Sequence, residues 1–364
     1  MQIPLKLQRK VRLTKGRHAR LSSLLAVHGD SVFVTANEDV LDHSGRHEYI
    51  LRLSGRSGNE IWRAPAERFQ IAWSTQGSPS VVAGSLLVTN ERWTAARGVS
   101  IESGRNPSTK SGQAQYSLDA RKLRLWRNRW LLMRDDGMVL ADAATGQTLE
   151  SRLPLPVAPS DTGLVRIEGD VMLYQAEDDT QAVAYDVSRQ DLLWIRPLKR
   201  EIAERCGCEV NVVTLRPIEP NVLLAHVRSS VVAGCSLRDG SILWEMAVPL
   251  ESPVVPHRDR VYVMSHQNSG SPRMVCLDAA TGTRLYDVIQ PELDEMDIAD
   301  YGMVLDEDHI GFGTRGGLVG LFRLRDGHLD WSYRYKVRLH TPVVMDERLY
   351  ACADDGNLLI FGPA

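Results

Sequence analysis

The chain has no run of about 18 to 20 apolar residues, the length a membrane-spanning helix requires. Its opening segment, MQIPLKLQRKVRL, has neither an apolar signal core nor a lipobox cysteine. As written, the chain reads as cytoplasmic, or as periplasmic if a leader preceded it. Helical periodicity is nearly absent, and KREIAERC (199–206) alone has the pattern for a turn or two of helix. Cysteines number five in 364 residues, an odd count in a chain long enough to bury a core, so reduced thiols are expected rather than a disulfide framework. Cys235 and Cys276 sit in apolar alternating runs, where a thiol acts as a small hydrophobe. Cys206 and Cys208 are the one close pair. No second Cys/His pair lies near them, so a four-ligand zinc site is not expected.

Other absences narrow the chemistry. The sequence has no Gly-x-Ser-x-Gly, Walker loop or His-Glu-x-x-His, so no catalytic, cofactor-binding or metal-ligating residue is assigned. His43 and His47 share one loop with Asp39, Asp42 and Glu48. Their spacing is not helical, and they read as solvated. A net charge of -3 argues against a generally nucleic-acid-seeking surface. Two local basic runs, Lys6 to Arg20 and Arg121 to Arg129, read as charges that guard outer strands from edge pairing.

What the sequence does contain is one unit, repeated. RLSGRSGNEIW (52–62), GVSIESGRN (98–106), LADAATGQTLE (140–150), AYDVSRQDLLW (184–194), GCSLRDGSILW (234–244), VCLDAATGTRLYDV (275–288) and LFRLRDGHLDW (321–331) share a turn. Aligned on Gly58, Gly104, Gly146, Gln190, Gly240, Gly282 and Gly327, they are separated by 42 to 50 residues. Before each turn come short runs alternating with period two, as in SPVVPHRDRVYVMSH (252–266), which is the signature of strands. About four short strands per unit at this period predict a β-propeller.

Counting the units predicts an all-β fold of eight four-stranded blades, near 21–63, 78–120, 121–155, 162–198, 212–248, 251–288, 298–336 and 339–364. The last unit runs out after three strands. The segment 3–13 is expected to supply its fourth strand and close the ring, making the whole chain, 1–364, one domain.

The turn motif resembles the Ala-x-Asp-x-x-Thr-Gly-x-x-x-Trp docking motif of the pyrroloquinoline-quinone-like propeller repeats. Asp142, Thr145 and Gly146, and Asp278, Thr281 and Gly282, match it best. Trp62, Trp194, Trp244 and Trp331 fill the aromatic position, Tyr286 and Glu150 depart from it, and Gln190 departs from Gly. That family includes quinone-dependent dehydrogenases and the propeller lipoprotein of the outer-membrane β-barrel assembly machinery, the second of which is closer to this chain in length and blade number, and this chain has none of the enzymes' extra cysteine signatures. The resemblance implies the propeller and no quinone cofactor.

Loop length then selects a working face. Turns between first and second, and third and fourth, strands are nearly all minimal, whereas the second-to-third loops and blade connectors carry the extra residues. The long-loop face leans acidic, with Glu38, Asp39, Asp42, Asp135, Asp136, Asp178, Asp179, Glu292, Asp294, Glu295 and Asp297 in or beside it, and Asp354 and Asp355 near its end. Trp73 and Trp93 are its aromatic anchors. The expectation is a non-catalytic scaffold that binds a protein partner with a basic surface there, with no membrane and no nucleic acid involved. Neutralisation of a toxin, envelope protein assembly, and a quinone-dependent or other small-ligand enzyme using the channel are the alternatives. The inner-strand runs PSVV, SPVV and TPVV are poor in the acids and histidines that such an enzyme would need.

Overall fold

The computed structural model describes residues 1, 3–14, 20–39, 46–65, 69–71, 81–82, 85–90, 96–104, 122–134, 137–143, 147–153, 155–160, 165–176, 181–207, 213–218, 222–227, 231–248, 252–265, 272–293 and 299–364. Alternating apolar side chains and tight turns fold them into antiparallel four-stranded meanders. Six run consecutively in the chain, spanning 20–65, 122–153, 166–196, 213–247, 254–289 and 299–334. In the seventh, Leu5–Arg12 pairs with Asn357–Pro363, and Arg348–Cys352 and Val343–Met345 complete the sheet. The two ends of the chain thus share one blade.

Among the described residues the propeller has seven such blades, which corrects the expected eight. The difference lies in the second unit, whose turn motif is the most degenerate. There Ser85–Asn90 pairs on one side with two short pieces, Phe69–Ile71 and Val81–Val82, and on the other with Ala96–Ser100. A three-residue and a two-residue segment stand where a regular blade has one continuous first strand. Among its described residues the unit therefore does not show the consecutive meander of the others.

Packing runs from blade to blade. One buried cluster joins Val32, Val34 and Leu51 of the first blade to Tyr350, Leu358 and Ile360 of the closing blade. Others join 122–142 to 165–187, 166–196 to 213–242, 222–248 to 261–279, 255–276 to 310–324, and 319–331 to 349–361. Because each blade buries its apolar face only against its neighbours, the core is continuous from one to the next.

The repeat's aromatic residue works across these boundaries. Trp194 Nε1 donates to the Leu237 carbonyl at 2.8 Å, Trp244 Nε1 to Ala279 at 2.8 Å, and Tyr286 Oη to Leu324 at 2.9 Å. Trp62 Nε1 likewise donates to Ile101 at 2.7 Å, and Trp331 Nε1 to Leu5 of the closing strand at 2.8 Å. In each case the acceptor belongs to the next unit along the ring. The indole also lies over that unit's turn glycine: a Cβ on Gly104 would come within 2.8 Å of the Trp62 ring, and one on Gly282 within 2.5 Å of the Trp244 ring. The turn glycine therefore serves a positive φ, +69° at Gly282, and also clears space for the preceding blade's aromatic ring.

This explains two departures from the motif together. Glu150 holds the aromatic register position of its blade, opposite Leu140, as Trp194 is opposite Ala184. The next unit's turn position is Gln190, at φ +58°. At this boundary no ring arrives and the position is not glycine, whereas Gly58, met by Ile360 of the closing blade, keeps it.

First strands of successive blades lie against one another, so they form the axial wall. Lys122–Trp126 is such a first strand, at one side of the order that continues through Arg129–Arg134. Lys122 and Arg124 of the second basic run therefore stand on an innermost strand, and Arg127 and Arg129 on the turn and strand after it, so the described part of this run does not guard an outer edge as its sequence alone suggests. The outer strands instead expose single apolar residues, among them Ile61, Leu243 and Leu285.

Among the cysteines, Cys235, Cys276 and Cys352 are free and buried. Cys206 is disulfide-bonded, which differs from the expectation of reduced thiols throughout; Cys208 lies outside the described residues. No helix among the described residues is long and apolar enough to cross a membrane.

Candidate protein-docking face

Backbone hydrogen bonds sort the loops onto two ends of the propeller. Within a blade, the third-to-fourth turn bonds the first-to-second turn: Val187 N donates to Asp170 O at 2.8 Å, Ala279 N to Asp259 O at 2.8 Å and Leu324 N to Asp308 O at 2.7 Å. At the opposite end, blade connectors lie on the second-to-third loops. Isolated bridges join Pro159 to Ala176 and Leu339 to Ala353, and Tyr335 N donates to Gly317 O at 2.7 Å.

The short-turn end uses its carboxylates internally. Asp278 Oδ1 accepts from Thr281 N and Thr281 Oγ1, both at 2.8 Å, and Asp239 Oδ1 accepts from Ser241 N at 3.0 Å and its hydroxyl at 2.7 Å. The backbone and hydroxyl bonds from Ser241, with help from Ser236, hold Asp239 at about 2. A carboxylate depressed in the folded state stabilises fully above its unfolded value near 4, and that contribution fades as pH falls toward 2. The stability gap between the native protein and Asp239→Ala is therefore expected to be open at pH 6 and much narrower at pH 2. Chemical denaturation at the two pH values reads it, and a gap of equal size at both would contradict the assignment.

The long-loop end is built differently. After the outer strand Asp191–Arg196, the chain turns at Pro197 into the helix Leu198–Cys206, which ends on Gly207 in the left-handed region at φ 62°. Leu198 and Ile202, four apart, bury one helix face in the cluster between the 166–196 and 213–247 blades. Ion pairs hold the rest: Arg196 to Glu201 at 2.9 Å, Arg200 to Glu204 at 2.7 Å, and Arg205 to Glu245 at 4.0 Å. Exposed pairs of this kind contribute little stability but fix a pattern of charge. Further round, the connector 335–340 is anchored by the Tyr335 hydroxyl on Asp355 at 3.0 Å, Lys336 on Asp355 at 3.5 Å, and His340 Nε2 against Asp354 at 2.8 Å. Burial opposes it, yet bonds from Asn357 and Tyr335 and the charges of Lys336 and Lys10 hold Asp355 below its ordinary value. Lys10 also sits 4.9 Å over the Tyr335 ring.

Of the residues expected at the face, Glu38 and Asp39 end the strand Ser31–Asp39, opposite His47 and Arg46, and Glu292 is exposed in the turn that follows Arg284–Ile289. Asp42, Trp73, Trp93, Asp135, Asp136, Asp178, Asp179, Asp294, Glu295 and Asp297 lie outside the described residues, as do His43 and Gly146. Asp354 and Asp355 are paired within the fold. The described part of the face alternates both signs, with Lys199, Arg200 and Arg205 beside Glu201 and Glu204 on the helix. Among the described residues no group of three or more His, Cys, Asp or Glu is placed to hold a metal ion.

A family model described as "Outer membrane protein assembly factor BamB" matches residues 46–333. In fold, the chain is similar to BamB from Moraxella catarrhalis, with 16% identity over 99% of this chain and 98% of that one and a TM-score of 0.58. It is similar to Chaetomium thermophilum Sqt1, solved bound to the N-terminus of the ribosomal protein L10, with 13% identity over 97% and 98% of the two chains and a TM-score of 0.60. A quinohemoprotein alcohol dehydrogenase from Comamonas testosteroni aligns with 10% identity over 99% of this chain and 77% of its own, at a TM-score of 0.61. No curated protein matches in sequence.

Proposed function

Because the chain belongs to the family of the outer membrane protein assembly factor BamB, we propose that it is a non-catalytic scaffold that docks a protein partner on its long-loop face. The observation that carries this reading is the contrast between the two ends. One end consists of minimal turns, in which Asp239 and Asp278 are spent on their own turn and Arg127–Asp170 and Arg258–Glu307 pair across neighbouring blades. The other carries a helix and connectors whose charged side chains are held in place on a rigid ring. Fixed charge on rigid elements is what selects a partner and steers its approach. Sqt1 supports the reading by analogy of fold, as a propeller recorded with the N-terminus of another protein.

The partner we propose has a basic surface, met by Glu292 and the acidic residues that follow it, with Trp93 as an apolar anchor. Reversing Asp294, Glu295 and Asp297 to lysine, or making Trp93→Ala, is expected to weaken binding about tenfold or more, equivalent to 1.4 kcal/mol per factor of ten. The thermal midpoint should stay within about 2 °C, since surface changes away from packing are near neutral. Affinity capture from the native host identifies the partner, and titration with the variants reads the loss. Unaltered affinity in both variants would sink the face assignment.

A further inference from the structure

We propose that the outer rim of the closing blade, along the strand Leu5–Arg12, is a second interaction surface that takes an acidic protein segment through Lys6, Arg9 and Lys10. This strand, LKLQRKVR, is the outermost of its sheet and carries four cations and no acid. Among the other outermost strands, EIWRAP, TLESRL, DLLWIR, RLYDVI and LDWSYR each hold one charge of each sign, and ILWEMA holds a single glutamate. Those edges are guarded without any net positive charge, so edge protection does not call for the excess on this one. In a chain of net charge -3, the excess is local.

Packing sorts the residues of the strand. Leu5 and Leu7 enter the cluster of Val319, Trp331 and Phe361, and Val11 packs on the cluster shared with the first blade. Lys6, Arg9 and Lys10 are left exposed. Arg9 donates to the side-chain oxygen of Asn59, a neutral acceptor, at 3.1 Å, and Glu60, next to Asn59, is matched by Arg63 at 2.9 Å. Lys10 lies 4.9 Å over the Tyr335 ring, and the carboxylate that acts on it, Asp355, is also paired with Lys336 at 3.5 Å. Two cations therefore share one acid. Arg12 is held to the Thr14 carbonyl at 2.8 Å and is not needed for the surface.

Uncompensated charge on a rigid strand selects an oppositely charged partner and speeds its approach. The chemistry of this rim suits a polypeptide better than a nucleic acid or a bilayer. Base stacking needs an open aromatic face, and the Tyr335 ring is already engaged by Lys10 at 4.9 Å and Lys336 at 6.0 Å. Insertion into a bilayer needs large exposed apolar residues, and the strand has none. The bulged position that carries exposed Ile61, Leu243 and Leu285 on other outer strands carries Gln8 here. A segment rich in glutamate or aspartate needs neither feature. This surface is independent of docking at the long-loop face.

Fluorescence anisotropy of a labelled deca-glutamate peptide, titrated with the intact chain at low ionic strength, tests the proposal. Saturable binding that weakens as salt is raised is expected. The combined variant Lys6→Gln, Arg9→Gln, Lys10→Gln should bind about tenfold or more weakly, since the attraction comes from these charges. Lys6→Glu alone, a single exposed reversal, should weaken binding about threefold or more and serves if the combined variant fails to fold. Arg238→Gln, at an exposed arginine in a third-to-fourth turn, should bind as the native chain does. Native affinity in the rim variants, or an equal loss in Arg238→Gln, overturns the proposal. So does tighter, Lys6-dependent binding of oligothymidylate or of phosphatidylglycerol vesicles, which would give the rim to nucleic acid or to membrane.

Discussion

Gly282→Val is expected to destabilise the protein by about 3 to 5 kcal/mol, and Trp244→Ala by a similar amount. The glycine sits at φ +69°, where a β-branched residue is strained, and its absent Cβ would lie 2.5 Å from Trp244 Cγ. Trp244 is itself 8% exposed and packs with Val261, Leu277 and Ala279 of the next blade. Removing the ring opens a cavity between blades and leaves the Ala279 carbonyl without its indole donor. The natural pairing of Glu150 with Gln190 sharpens the test. Gly282→Gln should cost far less when Trp244→Glu is already present, and a double-mutant cycle by chemical denaturation would show a coupling of about 1 kcal/mol or more. Simple additivity of the two changes would mean that ring and glycine do not act as one device.

Removing residues 1–12 is expected to have the second large effect, lowering the thermal midpoint by about 10 °C or more and promoting aggregation. Leu5–Arg12 is the fourth strand of the closing blade, and its loss would leave Asn357–Pro363 as an open edge. It would also take away the Leu5 carbonyl that accepts from Trp331, whose ring lies 5.1 Å from Phe361 in an edge-on contact. A synthetic peptide of residues 1–14 added in trans should restore much of the loss. A midpoint unchanged by the deletion would contradict closure through this strand. Scanning calorimetry with and without the peptide gives the answer.

The sequence carries the fold far better than the site. Period-two runs and recurring turn glycines are local signals, so the strands, the two kinds of turn and the pairing of the chain's ends are all legible in it. The blade number is not, because a unit was counted by its spacing from Gly58 to Gly146. Spacing measures chain length, whereas a meander also needs one continuous first strand, and the described residues there are two short pieces, 69–71 and 81–82. The coupling of Glu150 to Gln190 was present as two separate departures, and only the contact of one blade's ring with the next blade's turn joins them. The place of the second basic run was missed for a related reason: read as a run of charge, Arg121 to Arg129 suggests an outer edge, while strand order puts Lys122–Trp126 innermost in its blade. The docking residues have no such signal, since loop length and composition do not fix where side chains meet.

The central claim is that partners dock on the long-loop face, and amide hydrogen exchange on the complex with a captured partner tests it most directly. Protection on binding is expected at the helix 198–206, at the segment following Glu292 and at the connector 335–340, with the third-to-fourth turns exchanging as in the free protein. Protection confined to those turns, at 236–241 and 278–283, with the helix and connectors unchanged, would contradict it.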